Sequence, residues 1–305
     1  MSNFDYFKPQ SLGEAWGLYK KFPGSRYIAG GTDLLVKIKN RELKPPALIS
    51  LRSIRELSGI EIGEKTRIGA MTTITDLINH PELGRIFPVL TQAAKRIGSP
   101  QVRNVGTVGG NLCNCSPCAD MALALLVLDA RAVLTSPEGS REIPLTEFFM
   151  GPGESCLVSG ELLTKLLLDK PAPNVRAIFM KKGRVKMDLA IASVGVLLEM
   201  DGVTCKKARV AAGSVAPVPL RLEKVEELFQ DAVISKELIL KAQKIAMESV
   251  SPITDIRSTA DYRRHIVGIY VKRALQKLLG NEKLLRGVQG GGFLEKSPPG
   301  RRRQK

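Results

Sequence analysis

Histidine is almost missing from this sequence. Only His80 and His265 occur in 305 residues, both in helix-like surface patterns, so neither a Ser-His-Asp triad nor a histidine-built metal centre is in view. Aromatic residues are scarce at 5%, and the basic residues are not interleaved with them, as base-stacking modules require. No nucleic acid is therefore expected as a partner. No run reaches the roughly 18 apolar residues of a membrane span. The longest candidate, "MALALLVLDARAVL" (121–134), is broken by Asp129 and Arg131. The first residues, "MSNFDYFKPQSL", lack the basic region and apolar core of a secretory signal. Cysteines number five, and three of them (Cys113, Cys115 and Cys118) crowd one short run. Cysteines one residue apart rarely meet disulfide geometry, so this is not a disulfide framework. A cytoplasmic protein with no membrane span is expected.

What is present is an ordinary globular composition, 44% hydrophobic and 25% charged, in a chain long enough for two or three domains. The net charge of +16 is partly local: the stretch from Gly287 onward supplies +4, leaving about +12 on the body. A basic body suits a phosphate-bearing cofactor or an acidic partner subunit. Residues 1–55 read as helix, strand, glycine pair, helix and strand, with Pro45 and Pro46 ending the second helix. Residues 56–170 open with two strands around Glu64–Lys65, continue through helices to a glycine- and cysteine-rich run, and return to strand. The prolines of "KPAPNV" (170–175) mark a boundary. Residues 175–285 hold a hairpin, "AIASVGVLLEMDG" with "KKARVAAGSVAP", and two closing helices. Residues 287–305 form a Gly/Pro/basic tail expected to be disordered.

Two glycine runs carry the functional information. In "YIAGGTDLL" (27–35) a strand feeds Gly30 and Gly31 and then a helix. Without Cβ atoms these glycines let amides approach an anion, Thr32 can cap the helix, and the helix N-terminus favours negative charge. The run "GTVGGN" (106–111) repeats that chemistry. Neither matches a Rossmann or Walker pattern. One Gly-Gly pair is ordinarily a tight turn, but two at strand ends in adjacent blocks suit a pyrophosphate, hence a dinucleotide such as FAD.

The ordered set "AGGTDLL", "RIGAMTTITDL", "VRNVGTVGGNLCN", "MDLAIASVGV", "ARVAAGSVAPVPLR" and "SPITDIRSTADYRRHIV" resembles the FAD-binding medium subunits of the molybdenum hydroxylases. That family includes carbon monoxide dehydrogenase and bacterial xanthine dehydrogenase, and the resemblance runs from about residue 3 to 280. It implies an α+β fold: an FAD-binding fold of the p-cresol methylhydroxylase type in two α/β subdomains, then a small α/β C-terminal domain. It also implies FAD as cofactor, a small [2Fe–2S] subunit and a large molybdopterin-binding subunit as partners, and an external electron acceptor such as NAD.

Carried over residue by residue, the family's first loop falls on Ala29, Gly30, Gly31, Thr32, Asp33, Leu34 and Leu35. The second falls on Thr107, Val108, Gly109, Gly110 and Asn111. Asp120 matches the acidic flavin-site residue after the Ser-Pro step, although it would also suit a cap of the apolar helix that follows. Lys181 in "FMKKGR" matches the basic residue of the aromatic-x-Lys-x-Gly stretch, and Leu166 is a further flavin contact. The chain departs from the family pattern at Cys115 and Cys118. A branch acting on aromatic CoA thioesters inserts a long cysteine-rich loop holding a [4Fe–4S] cluster nearby, and this chain lacks that loop. A metal site would need Cys156 or Cys205 to complete it, and Cys115-x-x-Cys118 is formally a redox pair. The plainer reading is three small thiols beside a cofactor, with no metal. No triad, paired carboxylates or metalloprotease helix offers catalysis by the chain itself, so the cofactor does the redox chemistry. The alternatives are a stand-alone flavin reductase or oxidase of the same fold, or a basic partner-binding protein.

Overall fold

The computed structural model describes residues 3–280; the tail expected to be disordered lies outside the described residues. The chain begins with β1 (Asp5–Phe7), α1 (Leu12–Lys21), β2 (Arg26–Ile28), α2 (Leu34–Lys39) and β3 (Ala47–Ser50). The strands form a parallel sheet in the order β1-β3-β2. Parallel neighbours need crossovers, and the helices supply them. Ser11 starts α1 by accepting the Glu14 amide, with Ala15 buried beneath it.

Next come β4 (Ile60–Glu61), β5 (Lys65–Gly69) and α3 (Ile74–Asn79), which opens with a capping box between Thr73 and Asp76. Four short helices follow: α4 (Leu83–Ile86), α5 (Pro88–Ala94), α6 (Pro100–Val105) and α7 (Val108–Cys113). Then α8 (Asp120–Val127) leads into β6 (Arg131–Ser136), β7 (Gly139–Pro144), the small hairpin of β8 (Phe149–Gly151) and β9 (Glu154–Ser155), and β10 (Leu162–Asp169). The antiparallel sheet β4-β5-β10-β6-β7 places β10, distant in sequence, between β5 and β6.

The remainder is β11 (Val175–Lys182), β12 (Ala192–Asp201), β13 (Thr204–Gly213), β14 (Leu220–Arg221), α9 (Glu223–Glu227), β15 (Ala232–Val233), α10 (Lys236–Glu248) and α11 (Ala260–Leu278). The hairpin read from sequence is β12 with β13, and α10 and α11 pack together over this sheet to enclose its own core.

Every residue of α8 is buried. A helix apolar all round must be covered all round. Its cover comes from α5 and α7 on one side and from β12 and β13 on the other. Gly195 lets β12 run close: a Cβ there would stand 3.1 Å from the Leu123 carbonyl oxygen. Each fully buried Leu of this helix contributes roughly 1.5–3 kcal/mol. At the end of α8, Asp129 takes charge-assisted bonds from Arg209 (2.6 Å) and Arg221 (2.8 Å), tying the middle of the chain to the C-terminal sheet.

Candidate functional site

The two glycine runs meet. The first leaves the carboxyl end of β2, where parallel sheets present their ligand sites. Gly31 has φ +75°, a backbone conformation natural to glycine. A Cβ on Gly30 would lie 2.1 Å from the Val105 carbonyl oxygen and 2.8 Å from Gly106 Cα, so the first loop is pressed directly onto the second run. A Cβ on Gly109 would lie 2.6 Å from that of Ala70. Side chains complete the join: Asn114 Nδ2 donates to Asp33 Oδ1 at 3.2 Å, and Lys37 Nζ donates to Asn114 Oδ1 at 3.2 Å.

Between the runs opens a cleft of about 640 Å³. The amides of residues 30–33 find no protein acceptor among the described residues and are free to bind an anion. The second run behaves differently. It is the first turn of α7, where the Gly109 amide donates to Ala70 O, Gly110 to Thr107 Oγ1 and Asn111 to Thr107 O. Of its six amides only that of Thr107 is left without a protein acceptor among the described residues, so it does not repeat the chemistry of the first; its glycines serve close packing. Nor does Thr32 cap α2: Asp33 is the N-cap, without a side-chain bond, and the Thr32 hydroxyl points to Asp33 Oδ2 at 3.3 Å. Two buried oxygens on the wall, Asn111 Oδ1 and Tyr27 Oη, have no partner among the described residues. Burial, and after it the charge of the neighbouring Tyr19 phenol, push the Tyr27 phenol well above its usual range, so it stays a neutral donor. The charged wall residues are two bases, Arg26 and Lys37, against three acids, Asp33, Glu42 and Glu161. Glu161 is neutralised by two bonds from Arg141, at 2.7 and 2.8 Å. An anion here is therefore held by backbone amides more than by side-chain cations.

Ten of the residues expected from sequence line this cleft: Ala29, Gly30, Gly31, Thr32, Asp33, Leu34, Thr107, Gly109, Gly110 and Asn111. Five do not. Leu35 sits exposed on α2, Val108 is buried as the first residue of α7, and Leu166 is wholly buried within the sheet core. Leu166 alternates with exposed Lys165 on β10, so its side chain turns inward with the core. Asp120 and Lys181 form an ion pair at 2.6 Å, their side chains only 4% and 3% exposed. Asp120 is the first helical residue of α8, with Ala119 as N-cap, so it does not cap the helix. Lys181 Nζ also donates to Arg96 O at 3.1 Å, and Arg96 donates back to Lys181 O at 3.2 Å. Burial pushes the Asp120 carboxyl up to about 6, against the opposing pull of Lys181 and Arg96. Its Oδ1 has no partner among the described residues.

Tyr27, Lys37, Asn114 and Glu161 were not legible as wall residues. Tyr27 could have been found from its place just before the first loop; Glu161 arrives through β10, which sequence pattern did not place. All five cysteines are free, and among the described residues no group of three or more His, Cys, Asp and Glu could hold a metal. Cys113 is exposed at the cleft wall, and the surrounding protein, with Cys115 and Cys156 nearby, pushes its thiol pKa upward. Burial pushes Cys115 up to about 11.

Residues 2–170 match the family model of the FAD binding domain in molybdopterin dehydrogenase, and residues 177–278 match that of the CO dehydrogenase flavoprotein C-terminal domain. The chain belongs to this flavoprotein family. It is 34% identical to the nicotinate dehydrogenase FAD-subunit of Eubacterium barkeri, covering 89% of this chain and 95% of that one. It is 35% identical to the carbon monoxide dehydrogenase medium chain of Hydrogenophaga pseudoflava, covering 89% and 96%. A solved structure of the Hydrogenophaga pseudoflava enzyme, lacking the Mo-pyranopterin moiety of its molybdenum cofactor, superposes with a TM-score of 0.88 over 91% of this chain and 97% of that one. The α+β fold is thus that of the family, and the cofactor of this oxidoreductase subunit is FAD. The chain's residues fit it. The free amides at 30–33 and the two orphaned oxygens, on a wall whose close approach a Cβ on Gly30 would prevent, suit a phosphate-linked ligand rich in hydrogen-bonding groups. Among the described residues no helix is long and apolar enough to cross a membrane.

Proposed function

We propose that this chain is the FAD-carrying electron-transfer subunit of a molybdopterin-dependent hydroxylase or dehydrogenase complex. Electrons would reach it from [2Fe–2S] clusters on a small partner subunit, served by a large molybdopterin-binding subunit, and leave to NAD or another acceptor. The observation that carries this reading is the convergence of both glycine runs on one cleft, with four consecutive free amides at the end of β2. FAD, when bound, supplies a redox group that exchanges electrons with separate donors and acceptors. In this reading Gly30, Gly31, Thr32 and Asp33 hold the pyrophosphate with their amides. Thr107, Gly109 and Gly110 keep α7 close enough to shape the opposite wall. Asn111 and Tyr27 donate to or accept from polar groups, while Ala29 and Leu34 exclude water. Asp120 and Lys181 act from behind the wall, fixing α8 against β11. The division into FAD-binding subdomains at 1–55 and 56–170 and a C-terminal domain at 175–285 belongs to the same proposal, as does a cytoplasmic location.

The test is purification of the whole chain with and without its partner subunits. Alone, it should be yellow, release FAD on denaturation and pass electrons between NADH and an artificial dye, without oxidising purines, aldehydes or carbon monoxide. Addition of the partner subunits should restore substrate turnover. A colourless chain, or a molybdenum-free single chain that oxidises such a substrate at enzymatic rates, would overturn the reading.

A further inference from the structure

The cleft has a corner whose chemistry differs from that of the amides at 30–33. Its floor is apolar: Leu51, Met71 and Leu162 lie on the cleft wall and belong to one buried cluster, against which Tyr19 and Tyr27 also pack. Two polar side chains of the wall, Tyr27 and Glu161, meet at this floor. The rings of Tyr27 and Tyr19 stack at 5.0 Å, and Tyr19 Oη lies 3.4 Å from Ser159 Oγ, just before Glu161 in the chain. The stack thus brings β2 and the approach to β10 to one corner from distant parts of the sequence.

The protein leaves both groups with capacity to spare. Tyr27 Oη is buried without a partner among the described residues, and a buried hydroxyl left unpaired is a standing cost to the fold. Glu161 has a side chain only 5% exposed, yet it is ionised: the Arg141 guanidinium, bonded at 2.7 and 2.8 Å, holds its carboxyl below the usual carboxylate range. Its Oε2 also takes the Val158 amide at 3.2 Å. Its Oε1 takes only Arg141 Nε among the described residues, so one acceptor position remains there. A carboxylate that only accepts, beside a phenol that donates and accepts, does not suit a phosphate, which is anionic and brings no donor. The pair suits a hydroxyl, which can donate to the carboxylate and accept from the phenol. Position agrees with chemistry. Gly30 follows Tyr27 by three residues, at most roughly 10 Å of chain, and the groups bonded to the pyrophosphate of FAD are its ribose and its ribityl chain.

We propose that Tyr27 and Glu161 together bind a sugar hydroxyl of FAD, on the ribose or on the ribityl chain. Glu161 Oε1 accepts the hydroxyl proton and Tyr27 Oη donates to the hydroxyl oxygen. Arg141 is a positioning residue: it fixes the carboxylate and keeps its charge from standing uncompensated near the pyrophosphate. The proposal rests on the reading of the cleft as the FAD site and adds to it the recognition of an uncharged part of the cofactor.

The experiment is equilibrium binding of FAD to the full-length chain stripped of flavin, followed by fluorescence quenching, for the parent, Tyr27→Phe and Glu161→Gln. Tyr27→Phe should bind FAD about three- to tenfold more weakly, and Glu161→Gln at least about tenfold more weakly. Because the phenol oxygen has no partner in the protein, Tyr27→Phe should leave the Tm of the flavin-free chain unchanged or higher. FAD analogues lacking either the ribose hydroxyls or the ribityl hydroxyls separate the two sources. The analogue without the contacted hydroxyl should bind the parent and Tyr27→Phe equally, and the other should keep the difference. Equal or tighter FAD binding by either variant would overturn the pair, and if Glu161→Gln does not fold, Tyr27→Phe decides alone. A lowered Tm of flavin-free Tyr27→Phe, or an affinity difference that survives in both analogues, would also overturn it. A parent that binds no FAD would overturn the FAD reading of the cleft and the proposal with it, a result distinct from equal binding by parent and variant.

Discussion

Replacing Lys181 by Met tests the buried pair that joins α8 to β11. The methylenes are largely kept, so the change removes a charge and its hydrogen bonds rather than packing. Two losses follow. The bond to Arg96 O goes, worth about 1 kcal/mol at any pH. The cation beside Asp120 also goes, and that loss depends on pH. In the parent the carboxyl already stands near 6 in the folded state against a usual 3.8. Its contribution to stability is therefore greatest below about pH 4 and is lost as pH rises through 6. Without Lys181 the carboxyl must stay protonated to remain buried, so the deficit of the variant grows by about 1.4 kcal/mol for each pH unit above 6. The expected deficit is about 1 kcal/mol near pH 5.5 and about 4 kcal/mol near pH 8. In a chain of this size that amounts to a few degrees of Tm at the lower pH and on the order of 10 °C at the higher. The assay is thermal unfolding across that range with FAD in fixed excess, because bound ligand shifts Tm by itself. An Asp120→Asn/Lys181→Met double variant should recover most of the loss at about pH 8 and lose the pH dependence. A Lys181→Met deficit that is flat with pH, or a double variant no better than the single one, would refute this account.

Three further outcomes are expected. Gly30→Ala should release FAD, because its Cβ would enter the Val105 carbonyl at 2.1 Å, whereas Gly110→Ala should lose less, since its Cβ meets side chains and no backbone, the Thr107 hydroxyl at 2.9 Å and Ala29 Cβ at 3.6 Å; equal flavin content in both purified variants would contradict the close approach of the two runs. Because amides rather than cations face the anion, FAD affinity measured by fluorescence quenching should change by no more than about threefold between roughly 0.05 and 0.5 M salt, and a steep loss would point instead to Arg26 and Lys37. Cys115, buried and with its pKa pushed up to about 11, should alkylate with iodoacetamide at least about tenfold more slowly than free cysteine near pH 8 when followed by peptide mass mapping; rapid labelling at that position would show an activated thiol.

How much of this was legible beforehand differs from residue to residue. Local chemistry was. Gly30 and Gly31 between a strand and a helix were legible as a point where the backbone approaches a ligand or another segment, and the two apolar runs of β12 and β13 around Asp201 and Gly202 were legible as a hairpin. The order of the motifs, read together, was enough to identify FAD and the family. What sequence could not decide was which of two similar runs keeps its amides free. Thr107 bonds back to Gly110 only because α7 winds into a helix against Ala70, and that contact spans about forty residues. Nor could it place Lys181, whose partner Asp120 lies 61 residues away; both looked like cofactor ligands, and folding spent their charges on each other. Glu161 and Leu166 neighbour one another on the same stretch of chain, yet one reaches the cleft wall and the other the core. Local pattern determines what a residue can do, because conformational preference and chemistry reside in a few adjacent positions. Tertiary structure decides which groups remain unsatisfied, because a donor's partner is set by how strands and helices from distant parts of the chain come together, as β10 does between β5 and β6.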